Sequence, residues 1–148
     1  MKPVISVLVV MAAALGVVAL AIAGGDRQTL VSPPDAVAES FARQMAGRRY
    51  VLGLRYLSPQ LRERIGEEEL RRWFDPVRQQ LGVANAVDAR LEWVERDRAS
   101  ATASIDAEHG RAILKLDMVS RQGLWVIDDL PADVPVGVRH PARRESAQ

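Results

Sequence analysis

The sequence predicts an α+β fold in which helices come first and a four-stranded antiparallel sheet follows. Three observations predict it. Between residues 33 and 81 apolar side chains recur every three or four positions, the spacing of one helix face. Beyond Gly82 they recur at every second residue, as in strands with one buried face. The links between these alternating runs are a few polar residues long, which favours antiparallel neighbours over the long crossovers of a parallel sheet.

Each element has its own signals. Ser32-Pro33-Pro34-Asp35 predicts a helix start, with Ser32 as cap, Pro33 at the first helical position and Asp35 completing a capping-box pattern. Val37, Ala38, Phe41 and Met45 form its apolar side, and Gly47 offers a left-handed stop. Tyr50, Leu54 and Leu57 share one face of a second helix. Ser58-Pro59 repeats the start signal for a short third helix carrying Leu61 and Ile65. Glu67-Glu68-Glu69 opens a fourth, where carboxylates suit the positive end of the helix dipole. Its apolar side is Leu70, Trp73, Phe74, Val77 and Leu81, and Pro76 within it predicts a kink or a fresh turn capped by Asp75.

The strands follow in the same way. Val87, Ala89, Leu91 and Trp93 alternate with Asp88, Arg90 and Glu92. Ala101, Ala103, Ile105 and Ala107 form the second set, and Ala112, Leu114, Leu116 and Met118 the third. The fourth, Leu124–Leu130, is apolar on both faces until Asp128. Residues 131–148 hold three prolines, several charges and no period, and are expected to be a disordered tail.

The chain begins with an address. Residues 4–23 carry no charge and only Ser6 and Gly16 outside the apolar set. Such a segment is long enough for a helix to cross a hydrocarbon core of roughly 30 Å. Lys2 before it favours an N-in, C-out orientation. The alternative is a signal peptide cut after Ala21-Ile22-Ala23. Either way the rest is extracytoplasmic: a single-pass inner-membrane protein, or a periplasmic or secreted one. The expected organisation is therefore an anchor or signal over 1–25, a tether over 26–32, one domain over 33–130 and the tail.

Composition excludes several classes of function. The chain has 148 residues, no Cys and two His, with a formal net charge of +1. Disulfides, thiol catalysis and Cys-ligated metals are ruled out, and His109 and His140 lack a neighbouring ligand set. No metal or cofactor is expected. Near-neutrality argues against nucleic acid as a partner, since that needs a basic excess. The charge is nevertheless uneven. The stretch from Arg43 to Arg78 is Arg-rich, whereas the strand region from Val87 to Leu130 is net acidic.

The order of these elements resembles the nuclear transport factor 2-like (cystatin-like) superfamily, in particular its small exported bacterial domains related to the lumazine-binding-like group. Asp35-Ala36-Val37 through Phe41 is similar to the entry of the first helix. Gly47-Arg48-Arg49-Tyr50, with Leu54, Leu57, Ser58-Pro59 and Leu61, is similar to the turn into the second and third. Gly123-Leu124-Trp125-Val126-Ile127-Asp128-Asp129-Leu130 resembles the closing strand. The resemblance covers residues 33–130 and implies a curved sheet wrapped over the first long helix as a cone. That cone holds a ligand, an active site or only core, so the fold does not supply the function. Enzymes of the superfamily need polar residues aimed into the cone. Here the expected inward strand residues are Leu91, Trp93, Ile105, Leu114, Leu116, Met118, Trp125 and Ile127, and no enzyme motif carries over.

The candidate pocket residues are Tyr50, Tyr56, Trp73, Trp93, Trp125 and Asp129. A Tyr hydroxyl in an apolar cavity can donate to an oxyanion, or its ring simply packs in the core. The three Trp can wall a ligand pocket or fill the helix–sheet interface. Asp129 shares parity with Trp125 and Ile127, so it is expected at the inner rim. The alanines of the second strand either admit a helix closely or leave a cavity. Arg48, Arg49, Arg71 and Arg72 form a candidate basic surface for anionic lipid or an acidic partner, unless the nearby glutamates pair with them. The leading expectation is a non-catalytic module for a protein partner or an envelope assembly. The alternatives are a binder of a small apolar or aromatic ligand, and an isomerase- or dehydratase-like enzyme.

Overall fold

The structure, a computed structural model, describes residues 32–139. The segment 4–23, all but the end of the tether, His140 and the tail beyond residue 139 lie outside the described residues. The fold is α+β. Helices α1 (Pro34–Ala46), α2 (Tyr50–Gly53), α3 (Pro59–Arg64) and α4 (Glu67–Leu81) precede an open antiparallel sheet. Its strands are β1 (Ala84–Glu95), β2 (Arg98–Ala107), β3 (Gly110–Arg121), β4 (Leu124–Asp129) and β5 (Val136–Val138). The first four form the expected meander, β1-β2-β3-β4. No helix of the described residues is long and apolar enough to cross a membrane.

The fifth strand corrects the expectation of a patternless tail from residue 131. β5 pairs antiparallel with the first part of β3, Gly110 opposite Val138 and Ala112 opposite Val136. β4 pairs with the last part of the same strand, from Asp117 to Arg121. β4 and β5 are thus successive pieces of one path along β3, interrupted by Leu130–Pro135. The Trp73 indole N–H ties that interruption down by donating to the Pro131 carbonyl at 3.0 Å.

Helix boundaries also shift for local reasons. α1 starts at Pro34 with Pro33 extended (ψ 161°) and no side-chain cap, so Ser32 does not cap it. A residue that precedes proline is driven out of the helical region, and Pro33 precedes Pro34. At the other end the left-handed position is Arg48 (φ 58°), one residue after Gly47. The short α3 is capped as expected: the buried Ser58 hydroxyl accepts from the Leu61 amide at 3.2 Å. The Ser58→Ala variant is expected to lose about 1–2 kcal/mol, because the Leu61 donor is then buried without a partner; urea unfolding measures it. α4 runs unbroken through Pro76, so no fresh turn begins there. Its first turn is closed by Glu69, whose carboxylate accepts from the Gly66 amide at 2.9 Å.

One core joins the layers. Val37, Ala38, Phe41, Ala42 and Met45 of α1 are buried, as are Leu70, Phe74, Val77 and Leu81 of α4. They meet the inner side of the sheet, where Ala99, Ala101, Ala103, Ile105, Leu114, Leu116, Met118 and Ile127 are covered. α1 lies chiefly on β2 and β1. The alanines of β2 are buried where α1 packs on that strand, which favours close helix approach as their role.

Two bulges decide which side chains face that core. A bulge at Glu92 puts Leu91 opposite Ala101 but Trp93 opposite Ser100. Successive side chains alternate faces, so the extra residue turns Trp93 away from the helices. A second bulge at Asp128 sets Ile127 opposite Met118 and Asp129 opposite Asp117. Asp129 therefore leaves the inner face as well. Both expectations of inward placement, for Trp93 and for Asp129, are corrected by the same cause.

Candidate functional site

The sequence candidates do not all gather in one pocket, although Trp93 and Asp129 share one of about 280 Å³ with Ser100 and Asp117. Tyr50 is 3% exposed, and its hydroxyl donates to the Asp75 carboxylate across the α2–α4 contact. Burial foremost, then the Asp75 hydrogen bond and charge, raise the phenol above its ordinary value of 10.0. The Arg71 guanidinium lies over the Tyr50 ring, 5.7 Å from its centroid. This trio clips two helices together. Asp75 is the partner that sequence reading missed, because 25 positions separate it from Tyr50 and its neighbour Pro76 suggested a capping role. Tyr56 is half-buried against the core.

The three Trp are apart. Trp73 packs between Phe41 and Phe74, with ring centroids 6.4 and 5.8 Å away. Trp125 lies half-buried at the start of β4. Trp93, 48% exposed, is on the helix-free face in a row with Ser100, Asp117 and Asp129. The hydroxyl of Ser100 is buried in that row without a hydrogen-bond partner. Asp129 is exposed, and its carboxylate accepts from the Leu130 amide at 3.0 Å.

Of the basic candidates, Arg71 pairs with Glu67 at 2.7 Å and Arg72 approaches Glu68 at 3.8 Å, each one helical turn away. Such exposed pairs contribute little to stability, but they partly neutralise the α4 surface. Arg48 and Arg49 are exposed and make no ion pair among the described residues. Arg49 lines a groove of about 490 Å³ with Arg43 and Arg78, floored by Val83–Val87 at the start of β1. Sequence reading found the local basic excess without this grouping, which brings together residues of α1, the following turn and α4.

The groove leads to the surface feature that sequence reading missed. β1 is twelve residues long, and among the described residues only β2 pairs with it. Its other edge therefore presents a row of backbone N–H and C=O groups. Among the described residues, four of the seven exposed large apolar side chains lie on or beside this strand: Val83, Leu91, Trp93 and Val94. An exposed, long and partly apolar edge is a template for another strand. The signal was present in the order of elements, since the first strand of a meander is always an edge. Among the described residues no three His, Asp or Glu side chains converge as a metal site.

Compared with protein-family models and with curated proteins, the chain matches none.

Proposed function

We propose that this chain works by binding rather than by catalysis, as an extracytoplasmic interaction module that offers the free edge of β1 to a strand of a protein partner. The supporting observation is that edge. It combines unpaired backbone groups with exposed Leu91, Trp93 and Val94, and the Arg43–Arg49–Arg78 groove flanks it. Strand addition draws affinity from main-chain hydrogen bonds and specificity from flanking side chains. Of the two tyrosines offered as catalytic donors, Tyr50 has its hydroxyl spent on Asp75. The three Trp lie apart, which supports this reading over a ligand pocket walled by all three. The helices-then-meander order accords with the nuclear transport factor 2-like resemblance, and a cone-like curvature remains part of the proposal. The hydrophobic segment 4–23 would hold the module at the membrane, or direct its export before cleavage near Ala23.

A photo-crosslinking residue at Leu91, in cells that make the full chain, tests this reading. It is expected to give a discrete adduct whose partner peptide mass spectrometry identifies. The same residue at Gln79, exposed on α4, is expected to give none. Equal labelling from both positions, or none from Leu91, overturns the reading.

A further inference from the structure

We infer that two copies of this chain pair antiparallel through β1, in a register centred on Ala89. The inference rests on the strand-addition reading and names its partner. β1 runs regularly between its two bulges, from Ala86 to Leu91, with Ala86 opposite Asp106 and Leu91 opposite Ala101 on β2. Within that stretch Val87-Asp88-Ala89-Arg90-Leu91 is a chemical palindrome: apolar, acidic, small, basic, apolar.

A twofold axis at Ala89 sets Asp88 opposite Arg90 of the partner subunit, twice by symmetry, and Val87 opposite Leu91 of the partner subunit. Asp88 and Arg90 share the helix-free face, while Val87 and Leu91 share the helix side, so every pair meets on a common face. Moving the axis by one residue destroys the match. Centred on Asp88 it opposes two carboxylates, and centred on Arg90 it opposes two guanidiniums and sets Asp88 against Glu92 of the partner subunit. An axis between residues pairs opposite faces. Only the Ala89 register is matched in both charge and face among these.

The side chains are available for it. Asp88 makes no ion pair among the described residues. Arg90 is 79% exposed and holds Glu92 through its Nε at 2.9 Å, which leaves its terminal nitrogens for a second carboxylate. Leu91, 41% exposed although on the helix side, is covered by Val87 of the partner subunit in this arrangement. The ends agree as well. The partner strand runs its Glu92 and Glu95 toward Val83–Ala86, where Arg43, Arg49 and Arg78 line the groove. An interface isologous in this way needs one self-complementary patch, and β1 supplies it. Strand pairing of this length buries less than a standard stable interface, so micromolar or weaker association is expected.

Native mass spectrometry of the full-length chain, from low micromolar to near-millimolar concentration, tests the register. Asp88→Arg alone and Arg90→Asp alone each oppose like charges, and each is expected to weaken the dimer about 10- to 30-fold. Mixing these two variants restores both pairs, so the heterodimer, distinguishable by mass, is expected to dominate at wild-type strength. The double variant Asp88→Arg/Arg90→Asp recovers the homodimer by the same logic. Circular dichroism checks that each variant is folded, and the mixture reports on the register whatever each variant does alone. A monomeric wild type, or variants that dimerise as it does, overturns the inference. The Leu91 crosslink then separates the two claims. An adduct with a different protein keeps the strand-addition reading and rejects the homodimer, and an adduct with this chain supports both.

Discussion

Replacing Phe41 with alanine is expected to cost about 3–5 kcal/mol, the range for truncating a buried aromatic ring. The ring is completely buried on α1 and lies 6.4 Å from the ring of Trp73. Its surroundings cannot easily close over the gap. The alanines of β2 have no length to extend into it. On another side α2 is already in tight contact, since a β-carbon at Gly53 would collide with the Met45 methyl and lie 3.6 Å from the Phe41 ring. Domains of this size hold about 5–15 kcal/mol in total, so the variant would lose roughly a fifth or more of its stability. Urea unfolding followed by Trp fluorescence measures this as a lower midpoint at unchanged slope. Val51→Ala, at a residue 57% exposed, is the control and is expected to stay within about 0.5 kcal/mol of the parent. An equal effect at both positions would reject the assignment of Phe41 to the centre of the core.

The second large effect concerns Tyr50. Removing its hydroxyl leaves the Asp75 carboxylate without its phenolic donor in a half-buried position, and Tyr50→Phe is expected to cost about 1.5–3 kcal/mol. The cost should depend on pH in a defined direction. The folded phenol is raised above the ordinary 10.0, so folded and unfolded chains both hold the proton below that pH. Above pH 10.0 the unfolded chain releases its proton while the folded one retains it, and stability falls as pH rises. The slope from one such group reaches about 1.4 kcal/mol per pH unit. Tyr50→Phe lacks that contribution. From neutral pH up to 10.0 its deficit relative to the parent is therefore constant, and above that it shrinks. Urea titrations at a series of pH values read this directly, and a deficit that grows with alkalinity would contradict the assigned hydrogen bond.

Much of the fold was legible in the sequence because it depends on local periodicity. The 3.6-residue spacing of Val37, Phe41 and Met45 and the alternation of Ala101, Ala103 and Ile105 each follow from which face is buried. The bulges were not legible. Leu91 and Trp93 are two apart and read as one face, yet Glu92 between them is surplus in the pairing with β2, and no local pattern marks that surplus. Asp128 misled in the same way. β5 was missed because Val136-Gly137-Val138 is too short to show a period and takes its strand form only from the edge of β3. The Tyr50–Asp75 bond joins elements whose packing is decided by the whole core. Conversely, the edge position of β1 followed from strand order alone, and its chemical palindrome is readable in five letters once the edge is known.

The far side of the sheet carries a consequence for assembly size. The edge of β4 is already occupied at Ile127, whose carbonyl accepts from the Ser58 amide at 2.7 Å while Leu57 bridges the same residue. The remaining piece of that margin is β5, three residues long. A sheet with two long free margins propagates, each added copy exposing a fresh one, and ends as a fibre. Here the second margin is interrupted at Ile127 by the chain's own backbone and continues only as the short β5. On the proposed pairing, growth through β1 would stop at the first step and give a finite pair, because among the described residues the far margin offers no second long free edge.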